Sequence, residues 1–207
     1  MIRPMRICPL LQQLLLRLLQ AVFGMTVSGR RNVPRSGGVI IACNHISNLD
    51  PPVLGSAVPR RASFMAKAEL FTSRAGEFFL PRLGAFPVNR DSVDTAALRT
   101  ALAELERGRA LIVFPEGTRS HDGRMLPLKA GVGLIAARSG APVLPAFMWG
   151  TSRPRRAILR RPGFSVRFGR PIRPERLRAA GARKTVEMIR EGIAGVGRDL
   201  LPGGDTA

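Results

Sequence analysis

One histidine and one aspartate stand at a spacing that could support proton transfer. Residues 44–52 read NHISNLDPP, with His45 and Asp50 separated by four residues. On one continuous helix this spacing would place the two side chains about 140° apart, so they meet only across a turn. A carboxylate bound to one imidazole nitrogen fixes the tautomer and stabilises the imidazolium formed during proton abstraction. The pair therefore suggests a general base.

Several other interpretations of this segment stay open at this point. Cys43 is an unsuitable nucleophile for His45, because neighbouring strand residues point to opposite faces. Ser47 could be the nucleophile, or the substrate could supply its own hydroxyl. A purely structural interpretation makes His45 a loop residue and Asp50 a helix cap. A zinc site with His121 is disfavoured, because the spacing matches no ligand pattern and we expect no metal.

A second segment with chemical potential follows a predicted strand. Residues 114–120 read FPEGTRS. Gly117 permits a tight turn, and Arg119 offers a planar fork of donors that suits phosphate. Glu116 could orient Arg119 or a substrate hydroxyl. The alternative is an ordinary turn with a solvated arginine.

Two further basic residues end predicted strands. Lys67 ends the segment ASFMAK, and Arg90 ends GAFPVNR. His45 likewise follows the apolar run VIIAC of residues 39–43. If these strands are parallel, their carboxyl ends meet at one edge of the sheet, where α/β proteins place reactive groups. The sequence therefore predicts one site that contains His45, Lys67, Arg90 and Arg119.

Strand and helix patterns alternate along the chain. This alternation predicts an α/β fold with a mixed, mostly parallel sheet flanked by helices. The predicted strands are residues 25–28, 39–43, 62–66, 85–88, 110–114, 143–149 and 164–168. The predicted helices are residues 92–107, capped by Asp91 or Ser92, then 129–139 and 183–200, besides a helix that starts near Pro51.

The amino-terminal segment has a separate character. Residues 9–24 read PLLQQLLLRLLQAVFG, in which Gln13, Arg17 and Gln20 share one helical face. A helix of this length spans about 22 Å, short of the roughly 30 Å hydrocarbon core. We expect residues 1–24 to form an amphipathic helix in the membrane interface. Packing on its own domain and a cleaved or spanning segment are the alternatives. Residues 25–200 would form the main domain, and residues 201–207 a disordered tail.

The composition of the chain limits the classes of molecule that it is expected to bind. The chain has 207 residues, a formal net charge of +19 and two cysteines, too few for a disulfide framework. So basic a surface attracts polyanions such as anionic lipid, acidic carriers or nucleic acid. Nucleic acid is disfavoured, because the sequence has one Trp, no Tyr and no recognisable binding module. The arginine-rich residues 153–161 suit either a headgroup or carrier contact or a solvated face.

In this order, NHISNLD, GAFPVNR, FPEGTRS and APVLPAF resemble the four sequence blocks of the glycerolipid acyltransferases. The nearest group is the lysophosphatidic acid acyltransferases, and the resemblance covers roughly residues 25–170. It implies that His45 deprotonates the free hydroxyl of a lysolipid and that Asp50 orients His45. It also implies direct attack on an acyl thioester, without an acyl-enzyme, which would yield phosphatidic acid for phospholipid biosynthesis.

The resemblance also assigns the binding residues and partners. The acceptor would be bound by Lys67, Arg90, Glu116, Gly117, Thr118 and Arg119, with the basic residues on its phosphate. Acyl-CoA or acyl-carrier protein would donate the acyl group, and no other cofactor is expected. The enzyme would lie peripherally or monotopically on the cytoplasmic face of the cell membrane. Another lysolipid acceptor, such as a lyso-ornithine lipid or a headgroup-bearing lysophospholipid, is the alternative.

Overall fold

One sheet of seven strands organises the computed structural model, which describes residues 9–89, 94–159 and 163–200. The strand order is β1-β7-β6-β2-β5-β3-β4, and every pairing is parallel except that of β6 with β7. The predicted mixed, mostly parallel sheet is therefore confirmed. The strands are β1 (Thr26–Ser28), β2 (Val39–Cys43), β3 (Ala62–Lys67), β4 (Ala85–Val88), β5 (Ala110–Val113), β6 (Val143–Trp149) and β7 (Ser165–Phe168).

Helices cover both faces of this sheet. They are α1 (Pro9–Phe23), α2 (Asp50–Ala57), α3 (Arg74–Arg82), α4 (Thr95–Glu106), α5 (Gly131–Ser139), α6 (Pro154–Leu159) and α7 (Pro174–Gly197). Side chains of α1, α2, α3 and α6 join the core on one face, and those of α4, α5 and α7 join the core on the other. The fold is thus a three-layer α/β arrangement.

The five residues of the central strand β2, which precede Asn44 and His45, are all apolar because the strand is buried on both faces. All five of its residues are buried. Ile41 and Cys43 contribute to one core, whereas Ile40 and Ala42 contribute to the other. A parallel strand covered on both faces needs apolar residues at every position. The chain leaves the sheet at Asn44, which puts His45 at its carboxyl edge.

The helix starts differ from those predicted. Helix α4 begins at Thr95, and its cap is Asp94, whose Oδ1 accepts the N–H of Ala97 at 2.8 Å. The predicted caps Asp91 and Ser92 lie outside the described residues. Helix α7 begins at Pro174 rather than at residue 183, but its helical geometry is broken at Gly181, where φ is 73°. The sequence pattern therefore located only the part of α7 beyond this break.

The short helices α3 and α6 are absent from the sequence-based prediction. Helix α3 is only nine residues long and contains Pro81, a residue that usually ends a helical pattern. Its N-cap, Ser73, accepts the N–H of Gly76 at 3.0 Å, which was the available sign of a helix start. Helix α6 lies within the arginine-rich residues 153–161, where charge obscures the helical pattern.

Helix α1 packs on its own domain with one side and exposes apolar residues on the other. Leu16 and Leu19 are buried, and the side-chain amide of Gln12 donates to the carbonyls of Gly55 and Val58 at 2.7 and 2.5 Å. Outward from the domain, α1 presents an exposed stripe of Leu10, Leu11, Leu14, Leu18 and Val22. None of the helices in the described residues combines the length and the hydropathy that crossing a bilayer requires.

Candidate active site

His45 and Asp50 lie in direct contact at the carboxyl edge of the sheet. Nδ1 of His45 is 2.8 Å from Oδ2 of Asp50. Residues 44–49 form the turn that brings them together, because β2 ends at Cys43 and α2 begins at Asp50. The consecutive prolines Pro51 and Pro52 occupy first-turn positions of α2, where no N–H partner is needed. The turn thus provides the approach that one continuous helix could not.

The carboxylate of Asp50 is fully buried and held by donors on both oxygens. Its Oδ2 also accepts the backbone N–H groups of Ile46 and Ser47, at 2.6 and 2.8 Å. Its Oδ1 accepts the hydroxyl of Thr151 at 2.5 Å. Four donors therefore fix both the position and the rotation of the carboxylate.

The imidazole of His45 is restrained on its face as well as at Nδ1. Its ring stacks on Phe114, with 4.3 Å between ring centroids and 25° between planes. With Nδ1 directed at a carboxylate, we assign the proton to Nδ1 and the lone pair to Nε2. Within the described part of the chain, Nε2 has no hydrogen-bond partner. This nitrogen is thus the one available to accept a proton.

Asn44 fastens the start of the turn to the neighbouring strand. Its side chain accepts the N–H of Met148 at 2.7 Å and donates to the carbonyl of Met148 at 3.0 Å. The side-chain amide therefore donates one hydrogen bond to β6 and accepts one from it, as the backbone of a paired strand residue does. This bridge holds the chain in register as it leaves β2, immediately before His45.

Glu116 holds the backbone of His45 rather than the side chain of Arg119. Its Oε1 accepts the N–H of His45 at 2.8 Å, and its Oε2 accepts the N–H of Leu126 at 2.9 Å. Burial raises the pKa of Glu116, although these backbone donors oppose the shift. Among the described residues, Glu116 and Arg119 form no ion pair. The glutamate is therefore placed to position His45.

The turn after β5 lies beside the same histidine. Gly117 has a φ of +71°, which favours glycine, and the aliphatic stem of Lys129 occupies the space where a Cβ would project. Two residues on, Arg119 is exposed, as is Thr118 between them. The next residue, Ser120, donates its N–H to the carbonyl of His45 at 2.8 Å. The backbone of Arg119 is thus one residue away from a direct hydrogen bond to His45.

Lys67 ends β3 at the same edge of the sheet. It is half-exposed, and its Nζ lies 3.0 Å from a carboxylate oxygen of Glu69. Strands β2, β5 and β3 are parallel neighbours, so the segments that follow them emerge side by side. His45, Arg119 and Lys67 therefore share one edge, as predicted for parallel strands. Arg90, the fourth predicted member, lies outside the described residues.

Neither neighbouring nucleophile suits the site. Cys43 is fully buried, and burial, reinforced by the charges of Asp50 and Glu116, raises its thiol pKa well above the usual value. A thiol held protonated is a weak nucleophile. The hydroxyl of Ser47 accepts the N–H of Leu49 at 3.2 Å and so acts within the turn.

Sequence reasoning missed three residues that contact or anchor the candidate site: Thr151, Phe114 and Asn44. Thr151 is 101 positions from Asp50 and belongs to a segment with no recognisable pattern, so only the fold reveals the contact. Phe114 was identified as a strand residue, with no sign that its ring would meet His45. Asn44 could have been found, because a polar residue at the end of a fully buried strand requires a partner.

This arrangement can remove a proton from a hydroxyl whose anionic end is bound nearby. The available nitrogen of His45 would take the proton, and Asp50 would stabilise the imidazolium. The exposed cations Lys67 and Arg119 can bind a phosphate. Chemically, the site fits transfer of a group to an alcohol that carries a phosphate.

Comparison with known proteins agrees with this chemistry. A family profile described as Acyltransferase matches residues 24–149. The 1-acyl-sn-glycerol-3-phosphate acyltransferase of Bacillus subtilis is 35% identical over 130 residues, which are 62% of this chain and 64% of that protein. The protein of the same name from Saccharomyces cerevisiae is 31% identical over 179 residues, 80% of this chain and 57% of that one.

A solved structure extends the likeness to the whole fold. The crystal structure of the 1-acyl-sn-glycerophosphate acyltransferase PlsC from Thermotoga maritima matches with a TM-score of 0.72 and 26% identity, covering 93% of this chain and 81% of that one. The chain spans less than two thirds of the length of the two curated relatives above. The profile covers the dyad, the turn after β5 and most of the sheet, and on that match the chain belongs to the acyltransferase family.

Proposed function

We propose that this protein transfers a fatty acyl group from an acyl thioester to the free hydroxyl of lysophosphatidic acid, giving phosphatidic acid. The observation that carries the proposal is the 2.8 Å contact between His45 and Asp50, at the sheet edge that also bears Lys67 and Arg119. The names of the curated relatives support the choice of acceptor.

The reaction runs by direct attack. Nε2 of His45 takes the hydroxyl proton as the oxygen forms a bond to the thioester carbonyl carbon. The carbon–sulfur bond then breaks, and the leaving thiolate takes the proton from the imidazolium. Asp50 keeps its charge throughout and holds the ring in place. Since the acceptor supplies the attacking oxygen, no nucleophilic side chain of the protein is consumed.

The acceptor is positioned through its phosphate. Arg119 presents a planar pair of donors that matches two phosphate oxygens, and Lys67 adds a point charge from the next strand end. Anchoring one end of the lipid confines its hydroxyl near His45, which removes much of the entropic cost of a bimolecular reaction. Another lysolipid with a phosphate could use the same contacts, whereas a lyso-ornithine lipid offers no phosphate to them.

The enzyme binds the membrane surface that holds its acceptor. The stripe of leucines on α1 is exposed, and Arg17 stands on the same helix, so α1 can lie in the interface with its outer side in lipid. The net charge of +19 adds attraction to anionic headgroups. The exposed stripe and the charge support a peripheral position at the membrane, which we propose is on its cytoplasmic face, with acyl-CoA or acyl-carrier protein as the donor.

One assay tests the reaction directly. Purified protein is offered lysophosphatidic acid, a headgroup-bearing lysophospholipid and a lyso-ornithine lipid, each with acyl-CoA and with acyl-carrier protein. We expect phosphatidic acid from the first acceptor at a kcat/KM well above that of the others, and no product with His45→Ala. Equal rates with lyso-ornithine lipid would contradict the phosphate-directed acceptor.

A further inference from the structure

A cavity lined by arginines lies at the opposite edge of the sheet from His45. Its volume is about 450 Å³, and the lining residues are Arg35, Arg60, Arg61, Arg107, Gly108 and Arg109. These residues precede β2, β3 and β5, whereas the acyl-transfer site follows the same three strands. Five residues of β2 separate the two edges by about 16 Å. The cavity is therefore separate from the site that contains His45.

Positive charge in this cavity is only partly neutralised. Glu104 is 2.9 Å from Arg107 and 2.5 Å from Arg109. None of Arg35, Arg60 and Arg61 forms an ion pair with a carboxylate in the parts of the chain that the structure describes. Like charges that line one cavity repel one another, and an anion between them would relieve the repulsion.

Arg60 is fixed in place before any ligand arrives. Its guanidinium donates to the carbonyl of Pro34 at 2.7 Å and to the carbonyl of Gly108. Partial burial lowers the pKa of Arg60, which reflects the cost of keeping its charge away from water. Arg35 and Arg61 are exposed beside it and remain able to close on a ligand.

We propose that this arginine cavity is a second anion site, which binds a phosphate group through Arg35, Arg60 and Arg61. Guanidinium groups suit phosphate because their paired donors match two of its oxygens. The phosphate can come from an anionic phospholipid headgroup or from a soluble phosphorylated molecule. The lipid source has a structural argument, because Gln12 of α1 bonds to Val58, two residues before Arg60, and α1 carries the exposed leucine stripe.

Pyrophosphate binding tests the site without any use of catalysis. Arg61→Gln and Arg35→Gln are compared with Arg190→Gln, which removes the same charge from an exposed position on α7 outside the cavity. All three are made in an Arg119→Gln background, so that pyrophosphate near His45 contributes less. We expect about tenfold weaker pyrophosphate binding by calorimetry for each cavity variant and parent-like binding for Arg190→Gln. Equal binding in all three would overturn the proposal.

Vesicles separate the two sources of phosphate. The same variants, in an otherwise unchanged chain, are sedimented with phosphatidylcholine vesicles that contain or lack phosphatidic acid. A selective loss of binding to phosphatidic acid vesicles in Arg61→Gln, but not in Arg190→Gln, identifies a headgroup as the ligand. Unchanged vesicle binding together with weakened pyrophosphate binding identifies a soluble phosphate. Melting temperatures without ligand confirm that the exposed substitutions leave the fold intact.

Discussion

The hydroxyl of Thr151 donates to Oδ1 of Asp50 at 2.5 Å, while the other oxygen of that carboxylate bonds to His45. Thr151 is fully buried and follows β6. The segment after β6 therefore helps to hold the pair of His45 and Asp50, which belongs to the segment after β2. Because Thr151 reaches His45 only through Asp50, it is a positioning residue. Its hydroxyl removes the remaining freedom of the carboxylate to rotate.

Thr151→Val should lower kcat/KM about tenfold, since a hydrogen bond to a charged group is worth about 1.5–3 kcal/mol. The substitution keeps the shape of the side chain but removes the donor, so the Asp50 carboxylate regains freedom to rotate. We expect the loss to fall on kcat rather than on KM, because Thr151 acts through Asp50. Thr151→Ser should restore kcat. A lower melting temperature with an unchanged kcat would mean that Thr151 only stabilises the fold.

Asp50→Asn should reduce kcat by about a hundredfold or more, the range of general acid–base catalysis. An asparagine has no charge to stabilise the imidazolium, and its amide nitrogen, where it faces Nδ1, forces the imidazole into the other tautomer. His45→Ala should reduce turnover at least as far while lysolipid binding persists. Because the two residues act as one unit, the double variant should be no slower than His45→Ala alone.

A matched control isolates the dyad from general charge effects. Asp122→Asn removes an exposed carboxylate that accepts from Ser120 in the loop after β5, which also bonds to the backbone of His45. This variant should keep nearly full activity. If it were as slow as Asp50→Asn, loop order rather than proton transfer would explain the loss.

Arg119→Gln should raise the KM for lysophosphatidic acid about tenfold and leave the KM for the acyl donor nearly unchanged. The substitution removes a charge-assisted, two-pronged contact to phosphate while keeping some hydrogen-bonding capacity. Steady-state kinetics with each substrate varied in turn measures the effect. Arg124→Gln, an exposed arginine of the same loop, serves as the control. Equal effects of both variants would indicate a general electrostatic field rather than a specific contact.

The sequence predicted the site best where reactive residues lie close in sequence to the strand or helix that positions them. The strands that precede His45 and Arg119, and the strand that ends at Lys67, could be inferred from apolar runs followed by polar residues, and the shared edge followed from parallel pairing. The turn between His45 and Asp50 was also predictable, because two consecutive prolines mark a helix start. In each case the reactive residue and the pattern that predicts its position lie within a few residues of one another.

The sequence alone could not predict the contacts between segments that are distant along the chain. Thr151 bonds to Asp50, and Glu116 bonds to the backbone of His45, because β6 and β5 are the two neighbours of β2 in the sheet. No local sequence pattern predicts that strand order. Glu116 illustrates the consequence. Three residues before Arg119 in sequence, it could have oriented that arginine or a substrate hydroxyl, but its two oxygens accept from the backbone of His45 and Leu126 instead.

Acid should weaken the fold through Glu104. This buried carboxylate accepts the hydroxyl of Ser63 and bonds to Arg107 and Arg109. Burial opposes its charge, but these donors prevail and lower its pKa below the ordinary value of 4.5. Its stabilisation is thus complete above about pH 4.5 and is lost as pH falls through the folded-state pKa.

Glu104→Gln makes this dependence measurable. The variant should be less stable by about 1–3 kcal/mol near neutral pH, because the charge-assisted bonds are weakened in a buried position. The difference from the parent protein should shrink below pH 4.5, as the parent carboxylate takes up its proton. Urea unfolding at a series of pH values measures it. A difference that stays constant down to pH 3 would show that the charge of Glu104 contributes nothing.

The outer stripe of α1 should govern membrane association. Removal of residues 1–24 is a poor test, because Leu16 and Leu19 belong to the core and their loss would destabilise the domain. Leu14→Glu with Leu18→Glu changes only exposed positions. We expect at least tenfold weaker binding to anionic vesicles, since burying each leucine in lipid contributes on the order of 1 kcal/mol or more.

The control places the same charges on the polar side of the same helix. Gln13→Glu with Gln20→Glu also adds two negative charges at exposed positions but removes no apolar surface. Vesicle sedimentation should show only a modest loss relative to the parent protein for this variant, and high salt should reduce that loss by screening the added charges, whereas the leucine variant stays weak relative to the parent. Equal losses for the two double variants would mean that charge alone attracts the protein to lipid, and that α1 does not enter the interface.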